Sequence, residues 1–463
     1  MKLILLSGGS GKRLWPLSND TRSKQFLPML KGENNEMESM IQRVWRQLKS
    51  VNLDGKSVIA TSKMQKEMIY KQIGKEINVI TEPERRDTFP AIALAAAYLY
   101  TEQQVDLDEN IVVLPVDPYV EKSFFEKIKN LARKLDESEA DIALIGVKPS
   151  YPSTKYGYIV PIKNQNQMYN TLNVSHFVEK PRQEKAQDLI EEGALWNCGV
   201  FAFKLRYILG ILEEKGYPKE FKALENIYST MQKNSFDFEV LENANRIIVS
   251  EYDGFWKDLG TWNTLTEEME YNKIGKGIIS KDSFNTHFIN ELDIPITLNN
   301  VKNLVVAASP DGILISDKES SPNIKDLIEG FNNPPMYEER IWGWSKTLDY
   351  SKYEDGNEMV TKRICILENN NSSYHYHKFR DEVWTIVKGV GELVLDDQII
   401  RIKAGDVIHL PAGKKHGVKA ISELEFIEVQ TGPGIDVQDI NRITFEWEEV
   451  LARFRGSKST LFS

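Results

Sequence analysis

The chain begins with a short apolar segment that leads directly into a glycine-rich turn. Residues 3–6 are Leu-Ile-Leu-Leu, residues 7–11 are Ser-Gly-Gly-Ser-Gly, and the basic pair Lys12 and Arg13 follows. A short apolar run bounded by glycine is typical of a buried strand, and glycines let the backbone come close to a ligand. Free N–H groups beside two cations favour an anion, most often phosphate. The glycine spacing matches neither the dinucleotide-binding fingerprint nor the P-loop, so a plain turn with a solvated basic pair stays an alternative.

Length and composition indicate a multidomain globular protein. The 463 residues suffice for two to three domains, and the hydrophobic share of 41% is ordinary for this class. The net charge of −10 argues against nucleic acid as a partner, because surfaces that bind it are basic. No apolar run approaches the roughly 18 residues of a membrane span and no signal peptide is visible, so we expect no membrane partner. Two widely separated cysteines, Cys198 and Cys365, predict buried reduced thiols and a cytoplasmic protein.

Three stretches of different character divide the chain. Residues 1–270 alternate strand and helix patterns, which predicts an α/β domain with a largely parallel sheet. Residues 271–335 hold short β-branched runs without a long helical period, and residues 336–463 have the frequent short strands of an all-β domain. Within the first stretch we predict an alanine-rich helix through 91–97 and strands at 57–60, 78–80, 111–114 and 141–147.

Two neighbouring stretches resemble a known enzyme signature. Residues 8–16, Gly-Gly-Ser-Gly-Lys-Arg-Leu-Trp-Pro, and residues 24–28, Lys-Gln-Phe-Leu-Pro, are similar to the signature of sugar-1-phosphate nucleotidyltransferases, and within them to that of the mannose-1-phosphate guanylyltransferases. Lys12 replaces a usual Thr and Ser23 a usual Pro, while the glycines and the other cations are retained. The resemblance implies a Rossmann-like, GT-A-like domain that binds a nucleotide.

The resemblance also implies which residues bind the nucleotide. The first loop would cradle the triphosphate, and residues 81–91 resemble the family stretch around the base, at the end of a strand where open α/β sheets bind ligands. A helix N-cap loop with solvated charges stays the alternative for this second stretch. The implied nucleotide-binding residues are Ser7, Gly8, Gly9, Gly11, Pro83, Arg86 and Thr88.

Two aspartates are implied as magnesium ligands. Asp117 ends Leu-Pro-Val-Asp and matches the metal-binding Asp of a P-x-D-H motif, although Pro118 stands where His is usual. Asp258 lies in Trp-Lys-Asp-Leu-Gly-Thr-Trp, which matches the late W-x-D-x-G-x-W of the family. Mg²⁺ prefers such carboxylates together with phosphate oxygens. In the implied reaction a sugar-1-phosphate oxygen attacks the α-phosphorus of an NTP in line, Arg13 neutralises the leaving phosphates, and Lys24 acts on the α-phosphate or the sugar phosphate.

Three short motifs resemble the sugar-binding side of these enzymes. The glycine of the first would let a hexose approach the backbone, and the glutamate of the second would accept hydrogen bonds from sugar hydroxyls while its lysine meets the sugar phosphate. The implied sugar-binding residues are Gly157 in Tyr-Gly-Tyr-Ile, Glu179 and Lys180 in Phe-Val-Glu-Lys-Pro, and Asn197 in Trp-Asn-Cys-Gly, where Cys198 replaces a usual Ser.

The segment between the two larger domains resembles the family's turn-and-strand linker. This resemblance covers residues 303–315 and implies a short left-handed β-helix-like element, in which Asp311 is expected to hold a turn. The linker either packs the two ends of the chain together or forms a dimer contact. We expect a homodimer.

The last domain carries both cupin motifs. His375 and His377 alternate onto one face of a strand, Glu382 follows, and His416 comes after a second group of glycines and proline. These four side chains could form an inward-facing site of three histidines and one carboxylate. Such a set suits a divalent transition metal, Zn²⁺, Fe²⁺, Mn²⁺ or Ni²⁺.

The same domain also resembles the carboxyl-terminal domain of type II phosphomannose isomerases, through its Lys-Arg-Ile and Glu-Val-Gln-Thr-Gly segments. The departures from that pattern leave the three histidines and the glutamate of the predicted metal site in place. Isomerisation needs a base, for which Lys362 and Glu425 are candidates. The departures are His375 for a usual Gln, Phe379 and Val383 for usual histidines, and Gly417 for a usual Arg.

Together the resemblances imply an enzyme that makes GDP-mannose from GTP and mannose-1-phosphate, with a cupin that interconverts mannose-6-phosphate and fructose-6-phosphate. Two alternatives stay open. The changes at Lys12, Pro118 and Cys198 allow another pair of NTP and sugar-1-phosphate. The cupin could also bind a metal, sense a sugar or hold a dimer together without catalysing a reaction.

Overall fold

The computed structural model describes residues 1–9, 12–162, 171–331, 335–396, 398–435 and 439–455. Within these ranges no helix has both the length and the apolarity that crossing a membrane requires. Cys198 and Cys365 are buried free thiols, as expected.

The first part of the chain folds into alternating strands and helices. Its strands are β1 (Lys2–Ser7), β2 (Leu30–Lys31), β3 (Met37–Glu38), β4 (Ser57–Ser62), β5 (Asn78–Glu82), β6 (Asn110–Pro115), β7 (Pro118–Val120), β8 (Ile142–Val147), β9 (Tyr158–Pro161), β10 (Leu172–Val178), β11 (Leu195–Lys204), β12 (Ile247–Glu251) and β13 (Trp256–Asp258). Its helices are α1 (Met40–Ser50), α2 (Lys66–Ile73), α3 (Thr88–Thr101), α4 (Lys122–Asp136), α5 (Gln183–Glu191), α6 (Leu205–Glu214), α7 (Phe221–Ile227), α8 (Phe236–Glu239) and α9 (Trp262–Glu268).

The remaining chain is built mainly of strands. The linker contains β14 (Lys273–Ile274), β15 (Gly277–Ile279), β16 (His287–Asn290), β17 (Ile296–Leu298), β18 (Leu304–Ser309), β19 (Gly312–Asp317) and the short helix α10 (Ile324–Leu327). The last domain contains β20 (Tyr337–Arg340), β21 (Gly343–Lys352), β22 (Asn357–Ile366), β23 (Tyr374–Tyr376), β24 (Asp381–Lys388), β25 (Val390–Leu395), β26 (Gln398–Lys403), β27 (Val407–Leu410), β28 (His416–Ala420), β29 (Leu424–Pro433), β30 (Asn441–Thr444) and helix α11 (Trp447–Arg455).

A nine-stranded sheet forms the centre of the first domain, in the order β5-β4-β1-β6-β11-β8-β12-β10-β9. Strands β5, β4, β1 and β6 run parallel, as do β8 and β12, but β11 is antiparallel to both of its neighbours in that order. The prediction of a largely parallel sheet is therefore wrong for the second half. Apolar runs mark a central strand as buried on both faces but carry no information on its direction.

Apolar layers cover both faces of this sheet. One layer includes α1 and α4, and the other is built around α3, whose residues from Phe89 to Ala97 are almost completely buried. Alanine supplies high helix propensity and a small side chain, so α3 can lie close against the strands. The sheet is thus a rigid support for the loops at its edge.

The linker and the last domain have separate sheets. In the linker, β14, β16 and β18 stack in parallel, as do β15 and β17, which agrees with a β-helix-like element. The last domain is a double antiparallel sheet of six strands, β20-β21-β22-β29-β24-β27, facing five strands, β26-β25-β28-β23-β30. This arrangement is the predicted cupin.

The linker packs directly against the loop that follows the glycine turn. Trp15 lies where a side chain on Gly312 would be, 2.5 Å from its Cβ position, and Ser309 donates a hydrogen bond to the Pro16 carbonyl at 2.6 Å. Asp311 accepts hydrogen bonds from the Asn19 side chain and the Met336 backbone, so it does more than hold a turn. The linker therefore packs the two ends of the chain together, and a dimer contact through it stays a prediction.

One buried cation joins all three parts of the chain. Arg22 lies two residues before Lys24, and its guanidinium pairs with Glu291 of the linker at 2.9 Å and with Glu339 of β20 at 3.7 Å. Its side chain is only 7% exposed. Lys71 of α2 also pairs with Glu339 at 2.6 Å.

Arg22→Met keeps the side-chain stem but leaves Glu291 and Glu339 without their shared cation. We expect the free energy of unfolding to fall by about 3 kcal/mol, because the partly buried Glu291 loses its cation, while Glu339 keeps its pairing with Lys71. The midpoint of thermal unfolding measures this. Arg133→Met is the matched control, because Arg133 is exposed on α4 and its pairing with Glu137 at 3.7 Å contributes about 0.5 kcal/mol or less. Equal midpoints for the two variants would contradict the role of Arg22.

Candidate active site and metal centre

Three charged side chains from distant parts of the sequence meet at one edge of the large sheet. The Lys24 Nζ lies 2.6 Å from Asp117 Oδ2 and 3.6 Å from Asp258 Oδ1. Asp117 follows β6, and Asp258 ends β13, whose antiparallel pairing with β7 sets Asp258 opposite Pro118. This pairing brings the second carboxylate beside the first. The structure therefore unites three of the four residues predicted to be catalytic.

The charges in this cluster hold one another in place. Burial alone would lower the pKa of Lys24, but the carboxylates of Asp117 and Asp258 outweigh it and raise that pKa above its ordinary value. Lys24 is therefore protonated at neutral pH. A Cβ on Gly260 would lie 2.9 Å from Asp258 Oδ1 and 3.1 Å from Lys24 Nζ, so only glycine leaves this space clear. Two carboxylates that converge on one cation also suit a divalent ion.

The glycine turn is tied to the lysine of this cluster. The Gly9 carbonyl accepts hydrogen bonds from Ser23 Oγ at 2.9 Å and from Gln65 Nε2 at 3.2 Å. Gln65 also donates to Ser23, the residue directly before Lys24. The turn and the lysine are therefore held at a fixed separation.

The remaining residues of the predicted phosphate loop lie at the end of β1. Ser7 is buried at the last position of that strand, and a Cβ on Gly8 would approach Glu82 Oε1 to 3.5 Å. Glu82 also accepts a hydrogen bond from the Tyr228 hydroxyl at 2.7 Å, and burial raises its pKa. Gly11 lies outside the described residues.

A second cation, Lys155, faces the same region as Arg13. Burial and the charge of Arg13 lower the pKa of Lys155, while Asp258 acts in the opposite direction. Lys155 lines a cavity of about 590 Å³ together with Tyr156 and Asp258. The motifs did not single out Lys155. The signal in the sequence that could have identified Lys155 is its position two residues before Gly157.

The predicted base-binding loop makes contacts that its sequence did not indicate. Arg86 Nη1 donates to the Met231 carbonyl at 2.5 Å, and Thr88 Oγ1 accepts a hydrogen bond from the Phe236 backbone at 2.8 Å. These two side chains therefore hold the segment 231–239 against the loop. Pro83 is exposed. Nucleotide binding by Pro83, Arg86 and Thr88 stays a prediction.

The predicted sugar-binding motifs converge on one surface. The Asn197 backbone donates to the Gly157 carbonyl at 2.8 Å, and a Cβ on Gly157 would lie 2.5 Å from Glu179 Oε2. Lys180 pairs with Glu179 at 2.5 Å. Burial raises the pKa of the Glu179 carboxyl, although Lys180 acts against this. Gly157, Glu179, Lys180 and Asn197 are thus neighbours, as the motifs predicted they would be.

A small cavity connects this surface with the aspartates. It has a volume of about 160 Å³ and is lined by Asn197, Gly199, Tyr156, Asp117 and Asp258, among others. Its size suits a small polar group and not a whole nucleotide. Asn197 and the two aspartates therefore face one common space.

In the cupin, three histidines come together inside the double sheet. His375, His377 and His416 bring one ligand nitrogen each within 4.8 Å of one another. Glu382 Oε1 lies 3.1 Å from His377 Nε2, and its Oε2 lies 3.5 Å from His416 Nε2. Burial and the neighbouring histidines lower the pKa of His375 to about 3, which keeps this ring neutral. The predicted set of three histidines and one carboxylate is therefore assembled.

The outward nitrogens of the three rings are held by backbone carbonyls. The Nδ1 atoms of His375, His377 and His416 lie 2.7, 3.1 and 3.0 Å from the carbonyls of Ser373, Asp439 and Lys414. Each Nδ1 is thus assigned as the N–H donor, which leaves the Nε2 lone pairs facing inward. The buried His416 Nε2 makes no hydrogen bond to any described residue. This geometry suits a metal ion.

A cavity of about 530 Å³ reaches this centre and is lined by His375 and Glu382. Lys362 lines it, but Glu425 does not; Glu425 pairs instead with Arg363 on the other face of the sheet, at 2.6 Å. Glu425 is therefore wrong as a candidate base. Glu428, three residues further along β29, does line the cavity, and burial together with the charge of Glu382 raises its pKa to about 8.

The departures from the isomerase pattern fall mostly outside this cavity. Phe379 is 61% exposed and Val383 is 37% exposed, and neither lines the cavity. Gly417 faces backbone, because a Cβ there would lie 3.1 Å from the Ser373 carbonyl oxygen. Among these four departures, only His375 lies at the cavity, where it supplies a ligand nitrogen.

The fold and the site define a class: an α/β domain whose glycine turn lies beside a lysine and two aspartates, followed by a cupin with an assembled histidine centre. The family models agree with both halves. Residues 2–273 match the nucleotidyl transferase family, and residues 336–445 match the family described as mannose-6-phosphate isomerase C-terminal. The chain belongs to the nucleotidyl transferase family.

Several characterised proteins are similar over nearly the whole length. Mannose-1-phosphate guanylyltransferase of Escherichia coli is 28% identical, over 90% of this chain and 95% of its own. Mannose-1-phosphate guanylyltransferase ManC of Salmonella typhimurium (strain LT2) is 29% identical, over 95% and 96%. Xanthan biosynthesis protein XanB of Xanthomonas campestris pv. campestris (strain B100) is 28% identical, over 95% and 97%.

A solved structure supports the fold of the first two parts. The Thermus thermophilus protein named mannose-1-phosphate geranyltransferase superposes with a TM-score of 0.60 at 24% identity, over 72% of this chain and 99% of its own. At this identity the likeness shows the fold alone.

Gly157→Ala tests the close packing of the sugar-binding motifs. The added Cβ would lie 2.4 Å from Phe177 Cζ, so we expect a loss of about 2 kcal/mol in the free energy of unfolding. Gly210→Ala is the matched control, because nothing lies within 4 Å of its Cβ position in α6, and alanine there should add about 0.5 kcal/mol. Thermal unfolding midpoints measure both. Shifts in the same direction would contradict the packing argument.

Proposed function

We propose that this chain transfers a guanylyl group from GTP to mannose-1-phosphate, forming GDP-mannose and releasing pyrophosphate. The observation that carries the proposal is the cluster of Lys24, Asp117 and Asp258 beside the glycine turn. The choice of GTP and mannose-1-phosphate rests on the names of relatives similar along nearly the whole chain.

Asp117 and Asp258 would hold Mg²⁺, which suits carboxylate oxygens and usually binds phosphate oxygens as well. When bound, the ion would neutralise charge on the phosphates during transfer. The distances within the cluster favour this assignment, since both carboxylates already share one cation, the Lys24 ammonium.

The chain's own residues would orient the two substrates. Backbone N–H groups of the glycine turn bind the triphosphate, and Arg13 neutralises the leaving pyrophosphate. Lys24 contacts the α-phosphate or the attacking sugar phosphate, and Lys155 adds a second charge on that side. The mannosyl phosphate oxygen then attacks the α-phosphorus in line, its bond to phosphorus forms, and the bond to the β-phosphate oxygen breaks. Positioning and charge supply the acceleration.

Pyrophosphate release over the four NTPs and several sugar-1-phosphates tests the proposed function. We expect turnover with GTP and mannose-1-phosphate to exceed every other pair. A chain that uses another pair and leaves this one untouched would contradict the assignment of substrates, although it would keep the reaction class.

Asp258→Asn tests the proposed magnesium site. We expect the rate of pyrophosphate release to fall about 1000-fold, because one of two charged ligands is lost where the phosphates gather. Asp282→Asn is the control, because Asp282 is exposed in the linker and should leave the rate unchanged. An unaltered rate in Asp258→Asn would remove this residue from the site.

A second activity is favoured by the cupin. We propose that it binds one divalent transition metal through His375, His377, His416 and Glu382, and interconverts mannose-6-phosphate and fructose-6-phosphate. The match to the isomerase domain and the inward Nε2 atoms support this. Isomerisation removes a proton from C2 of the aldose and returns one to C1. Glu428 and Lys362, which both line the cavity, are the groups placed to carry it.

His377→Ala separates an active cupin from a merely structural one. We expect metal content to fall from about one ion per chain to about a tenth of that, with loss of isomerase activity and unchanged pyrophosphate release. Metal analysis and a coupled isomerase assay measure the two effects. His409→Ala is the control, because His409 is exposed on β27. Metal bound to wild type without isomerase activity would favour a non-catalytic module.

A further inference from the structure

The amide of Asn197 is held at both of its ends. Its Oδ1 accepts a hydrogen bond from the Gly199 backbone at 3.0 Å, and its Nδ2 donates to Asp237 Oδ1 at 2.8 Å. A backbone N–H can only donate, so the amide oxygen must face Gly199 and the NH₂ group must face Asp237. Asn197 therefore meets the small cavity in one orientation.

Asp237 reaches this position from a segment with no motif of its own. It lies in the single turn α8, where Ser235 caps the helix by accepting from the Phe238 backbone at 3.3 Å. The segment is held by the loop after β5. Arg86 and Thr88 hydrogen-bond to its backbone, and the Phe89 N–H donates to the Asn234 carbonyl at 3.2 Å.

The surroundings of Asp237 oppose the ionisation of its carboxyl group. Burial and the charge of Glu179 raise the pKa of Asp237 to about 7, and Asp87 acts in the same direction. Lys180 acts against them, but its ammonium is paired with Glu179. The Asp237 carboxyl is thus the acceptor for the Asn197 NH₂ group in surroundings where negative charge predominates.

We propose that Asp237 is the positioning residue that fixes Asn197 for the hexose and thereby sets the selectivity for the sugar. This inference rests on the proposed function, because it assigns a role within the same sugar-binding surface. It also gives Arg86 and Thr88 a role: they position Asp237, so the loop predicted to read the base supports the sugar side.

A consequence is a pH dependence of sugar binding. The Asn197 NH₂ group donates to the Asp237 carboxylate, and this hydrogen bond weakens when the carboxylate is neutralised. KM for mannose-1-phosphate therefore rises as pH falls through about 7 and Asp237 takes up a proton. The groups facing it are Glu179, Asp87 and Lys180. Asp237→Asn should flatten this part of the profile and leave the profile for GTP unchanged.

Three variants of the intact chain test the pair of Asn197 and Asp237 in the pyrophosphate-release assay. Asp237→Ala removes the acceptor, and we expect KM for mannose-1-phosphate to rise about 50-fold, with KM for GTP and kcat within about threefold of wild type. Asn197→Asp sets two carboxylates against each other and should be at least as damaging. The exchange Asn197→Asp with Asp237→Asn restores a donor opposite an acceptor, and should recover KM to within about tenfold of wild type.

Two further measurements separate positioning from general damage. The preference for mannose-1-phosphate over glucose-1-phosphate, as a ratio of kcat/KM, should fall in Asp237→Ala and stay constant in Asp188→Asn, an exposed control on α5. Thr88→Val removes the acceptor for the Phe236 N–H and should raise KM for mannose-1-phosphate about fivefold. If KM for GTP rises instead, Thr88 binds the nucleotide and the positioning role of this loop is wrong.

The outcomes distinguish this inference from the function on which it rests. Two results would overturn the inference alone while the wild type is active. One is a KM for mannose-1-phosphate in Asp237→Ala that equals the wild-type value, and the other is an exchange variant in which KM does not recover. Wild type that neither turns over nor binds mannose-1-phosphate overturns both. Thermal midpoints within about 3 °C of wild type establish that each variant is folded.

Discussion

The ammonium of Lys24 between Asp117 and Asp258 is the contact on which the rest of the first domain depends. The three residues are far apart in the sequence and are brought together by strand ends and by the pairing of β7 with β13. Two carboxylates this close would repel each other without a shared cation. The sheet therefore holds the two carboxylates close together, and the Lys24 ammonium balances their charge. The proposed binding of magnesium and phosphate rests on this arrangement.

The same short stretch of chain ties the site to the rest of the molecule. Trp15 and Pro16 contact the linker, Arg22 bridges linker and cupin, and Ser23 holds the glycine turn. The position of Lys24 is thus fixed both by the linker and by the glycine turn. The linker packs against the loop that follows the glycine turn, and the cupin contacts the same stretch through the pairing of Glu339 with Arg22. The histidine centre keeps its own geometry, because its orienting contacts are all within the cupin.

Motif spacing predicted the residues that meet through regular structure. Local rules predict which side chains lie at strand ends, that two histidines two residues apart share a strand face, and that a glycine lies beside a glutamate. The structure brings these side chains together. Long-range contacts, in contrast, could not be predicted from motif spacing. Arg86 and Thr88 bind backbone some 150 residues away, and Asp237 sits in a single turn without a recognisable pattern. The choice of Glu425 as a candidate base could have been avoided from the sequence. Strand alternation places Phe426 and Glu428 on the cavity face of β29 and Glu425 on the opposite face.

Phosphorus NMR of the reverse reaction tests the central claim most directly. Purified chain with Mg²⁺ and pyrophosphate is incubated in parallel with GDP-mannose and with other nucleotide sugars. The account predicts that the GDP-mannose and pyrophosphate signals decrease together while those of GTP and mannose-1-phosphate appear, and that this stops when the metal is chelated. Consumption of a different nucleotide sugar while GDP-mannose persists, or turnover that chelation leaves unchanged, would contradict it.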